Sequence, residues 1–139
     1  MDSWANLRRK QKCNKFYSKD IEQVISYLKQ ELKLGNGEGS LRGQLESVQR
    51  QTGKTPKELE DLIELPDSIK YIWKYFIDLD RKRSNTGYGP LALQYSEILA
   101  YFNLFNIDYE SIEIEILMLM DDTAMAYYNE KIKEENSKK

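Results

Sequence analysis

The chain contains no histidine and only one cysteine, Cys13. Without histidine there is no Ser-His-Asp or Cys-His relay, no HExxH zinc motif and no ordinary switch near neutral pH. A single cysteine excludes an internal disulfide and a thiolate metal cluster. Long apolar runs are missing too: none approaches the roughly 20 residues that a membrane-spanning helix needs. The basic start, MDSWANLRRKQK, is not followed by an apolar stretch, so a secretion signal is not expected and a cytoplasmic protein is the default. Nor is there a surplus of one charge. Charged residues make up 32% of the chain, yet the formal net charge is −2. That balance argues against a general polyanion binder and against an acidic disordered tail.

What is present suits one helical domain. A hydrophobic fraction of 40% in 139 residues is enough for a modest core. The expected class is all-α: a compact bundle of about five to six short helices with a flexible basic N-terminal segment. Three stretches are expected. Residues 1–39 form a basic arm, a leader helix and a Gly-rich hinge; residues 40–129 form the helical core; residues 130–139 form a charged, disordered tail.

The arm carries Arg8, Arg9, Lys10, Lys12, Lys15 and Lys19 against Asp2. A small helical nucleic-acid-binding or regulatory adaptor that uses this arm is one reading. A solvated leader of helical tendency is the other, and the lack of an RNP-type aromatic pattern favours it. Ser18 is a candidate N-cap for a helix whose stripe is Ile21, Val24, Ile25, Leu28 and Leu32. The glycines from Gly35 to Gly39 stop that helix. No GK[ST] follows them, so they read as a hinge and not as a phosphate loop.

Ser40 can cap a short helix that ends at Gly53, although Gly43 weakens it. Thr55-Pro56-Lys57-Glu58 reads as a capping box, with Leu59, Leu62 and Ile63 as the buried side of a short helix. Pro66 opens the next helix, where Ile69, Ile72, Trp73, Phe76 and Leu79 share one face. Arg81, Lys82 and Arg83 suit its C-terminus. SNTGYGP, residues 84–90, is a loop and a poor nucleotide motif. Tyr95, Ile98, Leu99, Phe102 and Phe105 mark a short helix with Glu97 near its start. Asp108 is a candidate cap for the last helix, which is apolar nearly all round from Ile114 to Met120. One cluster of Trp73, Phe76, Leu79, Ile98, Phe102, Ile116 and Leu119 is the expected core.

Candidate acid pairs fail on spacing. Asp121 and Asp122 are adjacent, and Glu113 with Glu115 or Asp78 with Asp80 lie two apart, so none converges on one helix face. A carboxylate pair or a magnesium site could still form across helices, but no spacing favours either, so no catalytic residue, cofactor site or metal site is assigned and the expectation is a protein that is not an enzyme.

The strings IWKYFIDLDRKRS, YGPLALQYSEILAYFNLF and IEIEILMLMDD, in this order, resemble the small tail assembly chaperones of long-tailed, siphophage-type viruses, the T-like C-terminal partner. The positions that carry the resemblance are Trp73, Phe76, Leu79, Arg83, Gly89, Pro90, Tyr95, Ser96, Glu97, Ile98, Tyr101, Glu113 and Asp121. It spans residues 65–122. Gln94 stands where the family has a capping Thr, and the basic leader has no counterpart.

The resemblance implies a non-enzymatic chaperone of virion tail morphogenesis in the bacterial cytoplasm. It would bind unassembled tail tube protein, with the tape measure protein as a further partner. Neither a membrane nor nucleic acid is expected as a partner. Self-association, or fusion to an upstream chaperone reading frame, stays open. Structural roles follow for Glu97, accepting backbone donors at a helix N-terminus, and for Arg83, at a helix C-terminus or paired with a carboxylate. The candidate client surface is the loop with Tyr88 at its tip, together with Met125, Tyr127 and Tyr128.

Overall fold

The computed structural model describes the backbone of residues 3–138 and the side chains of residues 18–138. Among these, helix α1 runs unbroken from Ser3 to Leu34, so Ser18 is a mid-helix residue and not its N-cap. No glycine or proline interrupts that span, and its many Lys, Gln, Leu and Glu residues lose little side-chain freedom in a helix. The side chains of Arg8, Arg9 and Lys10 lie outside the described ones.

The second half of α1 belongs to the core. Val24, Leu28 and Leu34 are buried, and Ile21, Ile25 and Leu32 pack around them. Helix α2 (Leu41–Thr52) follows a glycine-rich turn, and Ser40 caps it by accepting the Gly43 N–H at 3.1 Å. The same hydroxyl donates to the Gly37 carbonyl. A Cβ on Gly43 would sit 2.3 Å from that carbonyl oxygen, so the glycine is there for close backbone approach and not by tolerance.

The capping box expected at Thr55 does not form. Pro56 takes the N-cap position of α3 (Lys57–Glu60), which is one turn long and buries no residue. Thr55 instead accepts a hydrogen bond from the Gln49 side chain. The chain then runs on without helix to Leu65. Gln30 holds it there, its amide donating to the Ile63 carbonyl at 3.2 Å and accepting the Ile63 N–H at 2.7 Å.

Pro66 leads into a single 3-10 turn, Asp67–Ile69, that continues as α4 (Lys70–Arg81). Ile72, Phe76 and Leu79 form its buried face. The loop after it closes as a small antiparallel hairpin, β1 (Asn85–Thr86) and β2 (Gly89–Pro90), with Asn85 opposite Pro90. Helix α5 (Tyr95–Leu104) has Gln94 at its N-cap with no side-chain capping bond, as the poor capping chemistry of glutamine predicts. Asn106, at φ 54°, ends it. The Ile107 N–H reaches the Phe102 carbonyl and the Asn106 N–H reaches Asn103, the paired bonds of a Schellman ending.

The last helix, α6 (Ser111–Ser137), begins three residues after Asp108, with Glu110 at the N-cap. The Glu113 carboxylate accepts the Glu110 N–H at 3.3 Å and supplies the cap expected of Asp108. Ile112, Ile116, Leu117, Met120 and Ala124 turn inward onto α1 and α4. Leu119 does not: it is 45% exposed, a correction to the expected core. A helix apolar on all sides gives no internal cue to its buried face, and here the neighbours choose Leu117 and Met120. The other expected members hold. Phe76, Leu79, Ile98, Phe102 and Ile116 share one cluster, with Trp73 packed at its edge.

Candidate functional site

Two features stand out around the hairpin: a tyrosine fully in solvent at its tip, and a charged cluster buried beneath its base. Tyr88 is 95% exposed, more than any other large hydrophobic side chain described. Its turn is ordered by Thr86, whose hydroxyl accepts the Tyr88 N–H at 3.1 Å and donates to the Gly89 carbonyl at 3.2 Å. Gly89 has φ 133°, and a Cβ there would come within 2.6 Å of the Ile132 side chain on α6. The backbone angle favours glycine, while the Ile132 side chain could shift to make room.

The buried cluster centres on Arg83. Its side chain is 5% exposed, and that of Asp121 is 1% exposed. Arg83 Nη2 lies 2.5 Å from Asp121 Oδ1, a charge contact, although no hydrogen bond of good geometry reaches that oxygen. Nε and Nη2 both donate to Asp80 Oδ1, at 3.0 and 2.9 Å. The remaining nitrogen, Nη1, donates to the Leu91 carbonyl at 2.9 Å. Asp121 spends its other oxygen on the Leu93 N–H at 3.0 Å. Tyr128 donates its hydroxyl to Asp80 at 3.0 Å, and its ring lies 5.6 Å from the guanidinium carbon.

One arginine thus joins α4, the segment after the hairpin and α6. Burial alone would lower the Arg83 pKa, but Asp121 and Asp80 outweigh it and raise it. Tyr128 is pushed well above the usual tyrosine range, by burial first and then by the Asp80 charge. Tyr101 moves the same way, through burial and its hydrogen bond to Asp78 at 2.7 Å. Asp78 is held low, chiefly by Lys74 and then by Tyr101. Burial raises Glu113 at the start of α6.

The remaining expected site residues fall in distinct places. Pro90 is half-buried in β2. Tyr95 is 69% exposed at the first position of α5, beyond the edge of the core. Glu97 lies in the first turn of α5, where its charge meets the helix dipole; among the described residues its carboxylate makes no hydrogen bond. Met125 and Tyr127 are partly exposed, while Tyr128 packs inward against the core. Leu91, Leu99, Leu104 and Phe105 are further exposed apolar side chains.

Sequence reasoning left carboxylates meeting across helices open but did not single out Asp80 and Asp121, because no spacing favours one such pair over another. Two signals were available: the i, i+3 spacing of Asp80 and Arg83, and an acid in the apolar stripe of α6. Among the described residues no group of His, Cys, Asp or Glu is placed to hold a metal, and no helix is long and apolar enough to cross a membrane.

The profile of the phage tail assembly chaperone family matches residues 48–126, which take in α4, the hairpin, α5 and most of α6. The chain belongs to the phage tail assembly chaperone family. Searches of curated proteins and of solved structures found no match. For a phage tail assembly chaperone the arrangement makes physical sense: the cluster around Arg83 is buried and turned to internal partners, while Tyr88 and Leu91 beside it are exposed. The family implies phage tail proteins as partners in general.

Proposed function

We propose that this chaperone binds the unassembled tail tube subunit in the host cytoplasm and delays its polymerisation, without catalysing a reaction. The observation that carries this reading is Tyr88, held at 95% exposure on an ordered turn within the family-matched residues. A tyrosine leaves few rotamers to freeze and offers large contact area, so it suits a reversible grip on a client. Met125 and Tyr127 on α6 are the second part of the contact, and Leu91 and Tyr95 extend it. Tyr128 belongs to the support beneath, since its hydroxyl is committed to Asp80.

The tape measure protein is a second partner in this reading. Co-expression with the tube protein, followed by size exclusion, tests the main one. We expect a complex that Tyr88→Ala together with Tyr127→Ala weakens, and tube polymerisation that slows when the chaperone is added. An unchanged polymerisation rate with no complex would refute the reading.

A further inference from the structure

The hairpin is held at its base by more than its own ladder. The Leu91 N–H donates to the Ser84 carbonyl at 2.9 Å, closing the base of the hairpin. Arg83, directly before that base, donates to the Leu91 carbonyl, and Asp121 accepts the Leu93 N–H. Two nearby positions of the segment that leaves the hairpin, Leu91 and Leu93, are therefore gripped by two side chains that are themselves paired and buried. On the far side, Gly89 rests against Ile132. A two-residue ladder could not order a solvent-exposed turn by itself, because a short isolated hairpin is at best marginal in water.

The charges at this position are hard to explain by stability alone. A buried ion pair seldom outperforms well-packed apolar side chains of the same volume. What an apolar replacement cannot do is bond the Leu91 carbonyl and the Leu93 N–H at once. The geometry points to Arg83 and Asp121 as a positioning pair that holds residues 84–94 against α6, so that Tyr88 meets its client already ordered. This rests on the reading of Tyr88 as a client contact. It adds that ordering the loop beforehand removes an entropy cost from the binding step.

The test uses Arg83→Lys, which keeps the charge but cannot bond Asp80, Asp121 and Leu91 together, and Asp121→Asn, which keeps the shape. Amide hydrogen exchange of the free chaperone is the first arm. Exchange at Leu91 and Leu93 should quicken about tenfold or more in either variant, with amides at the centres of α4 and α6 little changed. An even loss of protection across α4 and α6 would make the pair merely structural and overturn the proposal, as would unchanged exchange at Leu91 and Leu93.

The second arm is a double-mutant cycle on binding to purified tube protein. Tyr88→Ala should weaken binding in the parent chain and have little further effect in the Arg83→Lys chain. Additive losses would overturn the positioning role. If the parent chain does not bind tube protein at all, the client reading falls, while the exchange arm still decides whether the pair orders the loop.

Discussion

Asp121 shows how much can turn on one side chain. Its carboxylate is buried, faces a guanidinium and holds a backbone N–H of a different segment. Truncating it to alanine takes away the Arg83 partner, the acceptor of the Leu93 N–H and the volume that asparagine would still fill. Asp121→Ala should therefore destabilise the fold by about 3–5 kcal/mol, read as a lowered urea midpoint. Asp122, its exposed neighbour, should tolerate the same change with little effect.

Two partly buried hydroxyls give a test in alkali. Tyr101 and Tyr128 titrate above the ordinary value of 10.0 in the folded chain. A raised folded pKa means that the stabilisation is fully present below the unfolded value and is lost as pH rises towards the folded one. Stability should thus hold up to about pH 10 and fall beyond it. In a spectroscopic titration, Tyr101 and Tyr128 should ionise late, together with unfolding. Phenylalanine at both positions should remove that late step.

The helices differ in how plainly their residues announced them. Helix α4 was legible because its apolar residues recur at helical spacing and only one face is rich in large side chains. Phe76 is 1% exposed at the centre of that face, and Phe76→Ala should cost about 3–5 kcal/mol in chemical denaturation. The equivalent truncation Leu119→Ala on α6 should cost well under 1 kcal/mol, in the range of ordinary surface changes. Periodicity could not separate Leu119 from Leu117, since both sit in an apolar run and only the packing of α1 and α4 decides between them. The extent of α1 was illegible for a related reason. A plausible cap at Ser18 means little when nothing upstream breaks the helix. Long-range polar pairing, such as Arg83 with Asp121, leaves only faint local traces: an acid three residues before the arginine and a charge inside an apolar stripe.

For the molecule as a whole, the expected all-α bundle and the tail assembly chaperone family both stand. Composition alone had excluded much of the competing chemistry, and the paired strings from Trp73 to Asp121 carried the family. The client surface was less legible, because exposure is a property of the finished packing: Tyr88 and Tyr128 are the same residue type, yet one is in solvent and the other is tied to Asp80. The basic arm gives a salt test. With a net charge of −2, affinity for nucleic acid should be weak at 150 mM salt ("about physiological" ionic strength), and replacing Arg8, Arg9 and Lys10 by alanine should change little in a mobility-shift assay.

The family-matched residues begin at 48, yet Val24 and Leu28 of α1 fill the core against α6. The matched region and the unit that folds are therefore not the same length. A fragment trimmed to the matched region would leave α6 with an uncovered apolar trench, where each of those two side chains had contributed about 1.5–3 kcal/mol. Such a fragment would itself behave as an aggregation-prone client. Any shortened version meant to keep the activity has to retain α1 from at least Ile21 onward.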